Sequence, residues 1–217
     1  MNFIHNRMDK FAKKTAEYLL QIKAIKLQPS NPFTWASGWK SPIYCDNRKT
    51  LSFPEVRGFI RDSFAEMIKE LYPQTELIAG VATGAIAHGA LVADKLNLPF
   101  VYTRSEAKAH GLGNQIEGYY EPGQKVVIIE DLISTGGSSL KAYKALKEAG
   151  CEPLGMAAIF TYEFKVASDE FEAAGCKLNT LCWYSALLDT AVKTGYISED
   201  DVETLAQWRV NPSVWVK

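Results

Sequence analysis

The 217 residues are 47% hydrophobic, enough to bury the core of one domain or of one with a small appendage. Lys and Arg number 24 against 25 Asp and Glu, a formal charge of -1, which excludes a broad basic field for nucleic acid and an acidic tail. No run approaches the ~20 apolar residues of a membrane span, and residues 1–11, with Arg7, Asp9 and Lys10, lack the apolar stretch of a signal peptide.

The periodicity predicts an amphipathic helix over 7–22, with Phe11, Thr15, Tyr18, Leu19 and Ile22 on one face. Between Ile25 and Asn47 the pattern breaks at Pro29, Pro32, Gly38 and Pro42, and Phe33, Trp35, Trp39 and Tyr44 punctuate it. Short strands and loops forming a hood over a site are expected there. Pro54 opens a second helix whose buried face carries Val56, Phe59, Ile60, Phe64, Met67 and Leu71. From Leu77 a regular alternation begins: strand 77–81, helix 85–96, strand 99–103, a polar stretch 104–124, strand 126–129 and a helix beyond Ser138. Strand 154–160, helix 166–174, strand 178–183 and two short helices near 185–194 and 198–208 follow, with Ser198 and Asp201 spaced as a capping box. Alternation of this kind predicts an α/β fold, a parallel sheet flanked by helices, with ligands outside the C-terminal strand ends. One domain, 1–217, is expected, with residues 1–50 contributing the first helix and the hood.

The chemistry concentrates in Val126-Val-Ile-Ile-Glu-Asp-Leu-Ile-Ser-Thr-Gly-Gly-Ser138. An apolar strand leads to two acids, Glu130 and Asp131, then through Leu132 and Ile133 to Ser134, Thr135, Gly136, Gly137 and Ser138 at a helix start. Unpaired N–H groups and the partial positive charge of a helix N-terminus suit a phosphate, and glycines let the backbone come close to it. The acids suit ribose hydroxyls or a magnesium hydration shell instead. The Gly-Lys-Ser/Thr ending of the nucleotide P-loop is missing, and no Gly-x-Gly-x-x-Gly occurs. A sugar carrying a 5-phosphate fits best.

The segment resembles the phosphoribosyl-diphosphate (PRPP) signature of type I phosphoribosyltransferases. A second stretch, Arg104-Ser-Glu-Ala-Lys-Ala-His-Gly-Leu-Gly-Asn114, sets Arg104, Lys108 and His110 close together between strands, on a loop long enough to be a lid. It is similar to the catalytic loop of orotate phosphoribosyltransferases. That resemblance implies that Arg104, Lys108 and His110 meet the diphosphate of PRPP. It also implies a homodimer in which the loop near 104–118 is shared across the interface. Many members carry Lys where this chain has Ser105. A third stretch, Ser37-Gly-Trp-Lys-Ser-Pro-Ile-Tyr-Cys-Asp-Asn-Arg48, resembles the segment that shapes the family's orotate pocket, with Ala36 where many members have Lys. Lys40, Tyr44 and Arg48 are its candidate orotate residues, while Trp39 and Tyr44 serve equally well as core packing. Gly80-Val-Ala-Thr-Gly-Ala85 resembles the loop that meets pyrophosphate through its backbone, with Gly84 where some members have Lys. Tyr162 stands where some have an orotate-binding Arg.

The resemblance implies a cytoplasmic enzyme of pyrimidine biosynthesis that transfers the phosphoribosyl group of PRPP to orotate, yielding orotidine 5-phosphate and pyrophosphate. Ser134 to Ser138, with Leu132 and Ile133, would hold the 5-phosphate, and Ser134 would also touch orotate. Glu130 and Asp131 would face the ribose hydroxyls, near a Mg2+ ion held through substrate and water rather than directly. Lys108, His110 and Asp131 are the candidate catalytic groups. Cys45, Cys151, Cys176 and Cys182 form no Cys-x-x-Cys pair, and His5, His88 and His110 add no zinc spacing, which agrees with reduced cysteines. Two other readings stay open: a phosphoribosyltransferase for a purine base, and a regulator that binds PRPP without turnover.

Overall fold

The structure, a computed structural model, describes residues 2–35, 38–104 and 115–215, with side chains from residue 10 onward. Helix α1 spans Asn2–Gln21 and packs the face predicted for it, with Phe11, Tyr18 and Leu19 buried. The hood follows as two small antiparallel ladders. β1 (Ile25–Leu27) pairs with β4 (Ile43–Cys45), and β2 (Phe33–Thr34) with β3 (Lys40–Ser41). A 3-10 turn, Asn47–Ser52, leads to α2, Pro54–Leu71, which starts on proline because a first-turn residue needs no N–H partner.

The main sheet contains β5 (Leu77–Val81), β6 (Phe100–Thr103), β7 (Ile116–Glu117), β8 (Lys125–Ile133), β9 (Glu152–Thr161) and β10 (Leu178–Trp183). Its order is β10-β9-β8-β5-β6-β7, parallel except for the edge strand β7. The helices between and after these strands are α3 (Ile86–Leu96), α4 (Gly137–Glu148), α5 (Lys165–Ala173), α6 (Tyr184–Lys193) and α7 (Glu199–Val210). Ser198 caps α7 as the spacing predicts, its N–H donating to Asp201 Oδ2 at 3.0 Å.

The continuous apolar run of β8 reflects burial on both faces. Val127 and Ile129 join the core that includes α1, α2 and α6, whereas Val126 and Ile128 join the one under α4 and α5. The strand is longer than the predicted 126–129. It continues through both acids to Ile133 because β9 stays beside it to the Ile133–Thr161 pair, while the register with β5 ends at Gly80–Ile129. From β5 the chain moves to β6 on one side, and β8 returns on the other. The sheet therefore changes direction between β5 and β8, and a crevice opens at their C-terminal ends.

The hood is fastened by aromatic rings. Trp208 of α7 is fully buried and lies 5.6 Å from the Trp35 ring, 5.7 Å from Tyr162 and 5.4 Å from Phe164. Its indole N–H donates to the Lys40 carbonyl at 3.2 Å, and the Trp35 indole donates to Ile43 O at 3.2 Å. Both aromatic tips are thus hydrogen-bonded to the hood's backbone, so little of their burial is offset by lost hydration. Truncating Trp208 to Ala leaves a large cavity and takes the indole donor from the Lys40 carbonyl. A stability loss of about 3–5 kcal/mol is expected in denaturant unfolding.

Candidate active site

At the crevice between β5 and β8 lies a cavity of about 360 Å³. One wall is Val81, Ala82, Thr83 and Gly84, the turn from β5 into α3; the opposite wall is Glu130, Asp131 and Leu132, with Ser138 at the start of α4. The rim is Cys45 to Arg48, from the end of the hood. The peptide between Ala82 and Thr83 is cis. Three stretches far apart in sequence meet here, because the hood folds back over the sheet.

The two acids are not equivalent. Glu130 is 4% exposed, and its carboxylate is engaged inside the protein: Oε2 accepts from Ser139 Oγ at 2.8 Å and Oε1 from the Asp131 N–H at 2.9 Å. Burial, reinforced by the charge of Asp131, pushes its carboxyl well above the usual carboxylate range. The expectation that both acids face a ribose thus meets a structure in which Glu130 ties β8 to the first turn of α4. Asp131 is more open. Its carboxylate packs against the 82–85 turn so closely that a Cβ at Gly84 would overlap it. No side chain larger than glycine fits at 84 with Asp131 in this position.

Ser134 to Gly136 make the turn from β8 into α4. Gly136 has φ +88°, and a Cβ there would press on the Phe171 ring, so glycine is required twice over. The first N–H groups of a helix have no partner within it, and no side chain caps the start of α4, which gives this turn the chemistry of an anion cradle. Of the signature residues, Glu130, Asp131, Leu132 and Ser138 line the cavity; Ile133 to Gly137 adjoin it along the chain. Arg48 lines it too, paired with Asp46 through Nε–Oδ1 at 2.7 Å, and the Arg48 hydrogen bond holds the Asp46 carboxyl below its usual range. Lys40 and Tyr44 stand outside the lining residues. Lys40 Nζ donates to Thr34 Oγ1 at 2.9 Å, and Tyr44 is tilted on Phe33 with ring centroids 5.7 Å apart.

Arg104 sits at the end of β6. Its N–H donates to Gln115 O at 2.8 Å, the Gln115 side-chain amide donates back to Arg104 O at 2.9 Å, and its guanidinium reaches Glu117 at 3.4 Å. Lys108 and His110 lie outside the described residues, as does Ser37. Among the described residues no group of three His, Cys, Asp or Glu is gathered as a metal cage. The cavity offers the carboxylate of Asp131, with Asp46 already paired to Arg48, a donor set that suits a cation taking most of its ligands from substrate oxygens and water.

Sequence reasoning missed three residues here. Ser139, one beyond the recognised signature, holds Glu130. Asn47, inside a recognised stretch, donates its side-chain amide to Asp131 O at 2.6 Å. His88, which falls in none of the recognised stretches, joins the same network: Thr50 Oγ1 donates to Asn47 O and sits 3.0 Å from His88 Nε2. The hydroxyl has one proton, so His88 Nε2 carries the ring proton and donates to it. None of these contacts leaves a local sequence signal, since each spans an interval set by the fold.

The comparisons with known proteins agree with this geometry. Residues 53–194 match the family model described as a phosphoribosyl transferase domain. The chain is 61% identical over 208 residues to an orotate phosphoribosyltransferase of Phocaeicola vulgatus, covering 96% of this chain and 98% of that one. It is 57% identical to one of Listeria monocytogenes, covering 94% and 98%. Among solved structures, an orotate phosphoribosyltransferase from Aeropyrum pernix superposes with a TM-score of 0.73 at 26% identity, covering 84% of this chain and 99% of that one. The UMP synthase of Leishmania donovani shares the fold, with a TM-score of 0.75 at 24% identity, covering 90% of this chain and 42% of that longer protein.

Burial, and then the charge of Arg57, depresses the His88 pKa from 6.5 to about 4. His88 stays neutral in the fold, whereas the unfolded chain takes up its proton below pH 6.5. This group's contribution is therefore intact above pH 6.5 and lost as pH falls toward 4. Between pH 7 and pH 5 the loss is about 2 kcal/mol. Denaturant unfolding of His88→Gln, which keeps an N–H donor and does not titrate, is expected to lack this part of the acid sensitivity.

Proposed function

Because this chain belongs to the phosphoribosyltransferase family, and within it to the orotate phosphoribosyltransferases, we propose that the crevice between β5 and β8 is where its transfer reaction takes place. The protein is an enzyme that transfers the phosphoribosyl group of PRPP to orotate, giving orotidine 5-phosphate and pyrophosphate in pyrimidine biosynthesis. The observation that carries the assignment of the site is the convergence of Asp131, the start of α4 and the 82–85 turn on one cavity.

In this reading the 5-phosphate lies in the turn Ser134–Ser138, held by N–H groups and hydroxyls, with Leu132 and Ile133 leading the backbone into it. Asp131 takes the ribose hydroxyls. Glu130 acts behind it, through Ser139, keeping α4 in register with the strand. The 82–85 turn meets the diphosphate through its backbone. Arg104, Lys108 and His110 neutralise the departing pyrophosphate. Mg2+, bound to the diphosphate and water near Asp131, would add to that neutralisation. The sugar C1 passes through an oxocarbenium-like state, so the residues contribute by positioning and charge rather than by a covalent nucleophile. Closure of the 104–118 segment would keep water from C1.

Arg48 is assigned the negative edge of orotate, with Ser134 nearby. What supports it is its place on the cavity rim while Lys40 is bonded to Thr34. Tyr44 and Lys40 then belong to the hood's own packing. Two copies are proposed to associate with the 104–118 segment of one over the cavity of the other. The cytoplasm is the proposed compartment, in keeping with the free cysteines at 45, 151, 176 and 182.

The test of the reaction is loss of orotate absorbance with PRPP and Mg2+, run beside adenine, guanine and uracil. Turnover with orotate alone is expected, and turnover of a purine would discard the base assignment. In the same assay Asp131→Asn is expected to lose about a hundredfold in kcat while unfolding near the unsubstituted protein. Lys108→Ala is expected to slow turnover at saturating substrates. If the segment is shared between copies, mixing Lys108→Ala with Asp131→Asn creates one intact site in each mixed dimer, and up to about a quarter of full activity returns. No recovery on mixing would confine the segment to its own subunit.

A further inference from the structure

Asn47 has a place on the cavity wall that the transfer reaction leaves unexplained. It is 1% exposed, at the start of the 3-10 turn that follows the hood. Its Nδ2 donates to the Asp131 carbonyl at 2.6 Å, and its Oδ1 accepts from Cys45 Sγ at 3.3 Å. Its own carbonyl accepts from Thr50 Oγ1 at 2.5 Å. A buried amide fixed on these sides has one orientation.

The acceptor is what gives the contact its meaning. The register of β8 with β5 ends at Gly80–Ile129, and that with β9 steps from Glu130–Ala158 to Leu132–Phe160. Asp131 stands in neither ladder. Its N–H is taken by the Glu130 carboxylate, and its C=O by Asn47. A strand residue whose backbone groups lack ladder partners is free to rotate its peptide plane, and the side chain turns with it.

We propose that Asn47 is a positioning residue for the transfer reaction: its side-chain amide stands in for the strand that β5 does not supply and fixes the direction in which Asp131 presents its carboxylate to the cavity. The inference rests on the reading of Asp131 as the ribose-side acid. It also gives the hood a second duty. Asn47 directly precedes Arg48, so one hydrogen bond sets the base-side rim and the ribose-side acid relative to each other.

The test compares Asn47→Ala, Asn47→Asp and Thr50→Val by steady-state kinetics and thermal melting. Asn47→Asp keeps the shape but sets an acceptor oxygen against the Asp131 carbonyl. Thr50→Val breaks the same buried turn without touching Asp131. Both Asn47 variants are expected to lose about tenfold to a hundredfold in kcat with little change in KM for orotate, the effect of a misplacement on the ångström scale. The aspartate variant is expected to fall at least as far as the alanine one. Thr50→Val is expected to melt earlier and keep its kcat. An unchanged kcat in Asn47→Ala overturns the proposal. So does a kcat loss in Thr50→Val that tracks its melting point as that of Asn47→Ala does, or a failure of both Asn47 variants to fold, since each makes the side chain a strut. Absence of orotate turnover in the unsubstituted protein, read in the same assay, overturns the functional reading itself and this inference with it.

Discussion

Two neighbouring strands of unequal length create the site. β5 ends at Val81, while β8 runs to Ile133 with β9 still beside it. On one side β8 is pinned by a full ladder; on the other its last residues face a gap. The gap makes room for a ligand and strands the backbone groups of Asp131. Buried backbone polar groups need partners. Glu130 and Asn47 supply them, and both therefore belong to the architecture of the cavity as much as to its chemistry. The 82–85 turn closes the gap from below, and it can come that close because residue 84 has no side chain.

Charge explains the rest of the arrangement. Two adjacent carboxylates in a small crevice repel, and a buried carboxylate is costly. The structure separates them by environment. Glu130 is buried, engaged by a hydroxyl and an N–H, and pushed toward its neutral form, whereas Asp131 faces the cavity. An anionic diphosphate then meets the Asp131 carboxylate without that of Glu130 beside it, while Asp46 on the rim is paired with Arg48. Gly84 extends the same logic. In relatives with lysine at this position a cation stands there; here the Asp131 carboxylate fills the space against the glycine. On the proposed assignment, positive charge for the diphosphate comes instead from Arg104 at the end of β6 and from the segment that follows it.

Much of this was legible in the residues. β5 and β10 fall on the predicted bounds, and α2 starts on Pro54 because proline suits a helix beginning. The small-residue turn from strand into helix was legible in the order of residues 126–138, since those properties are local. The end of β8 was not legible: Glu130 and Asp131 look like the end of a strand, and only pairing with β9 carries it to Ile133. Nor could the inequality of the two acids be read, because it depends on the first turn of α4 bringing Ser139 back to Glu130 and on Asn47 arriving from another part of the chain. Arg48 could be nominated from its type and neighbourhood, but its separation from Lys40 depends on the fold of the β2–β3 ladder.

The position of Tyr162 follows from the same constraint. It lies just past β9, where some relatives have an arginine for orotate, and it is 2% exposed. Its ring stacks on Phe164 at 5.3 Å and 18° and lies 5.6 Å from Trp35, so it is part of the aromatic post on which the hood stands. Burial pushes its phenol up, well out of the range where it could carry charge at neutral pH. An arginine here would bury an uncompensated guanidinium among indoles, at a cost of several kcal/mol. The stability of the hood and a cation at this point therefore exclude one another, and the chain has the post. On the proposed assignment the counter-charge for an anionic base lies at the rim, where the Arg48 side chain is 63% exposed and paired with Asp46. A rim arginine stays hydrated until substrate arrives, so its charge requires no burial in the empty protein. It also sits one residue from Asn47, so the two proposed roles, recognition of the base and alignment of Asp131, would share one short turn.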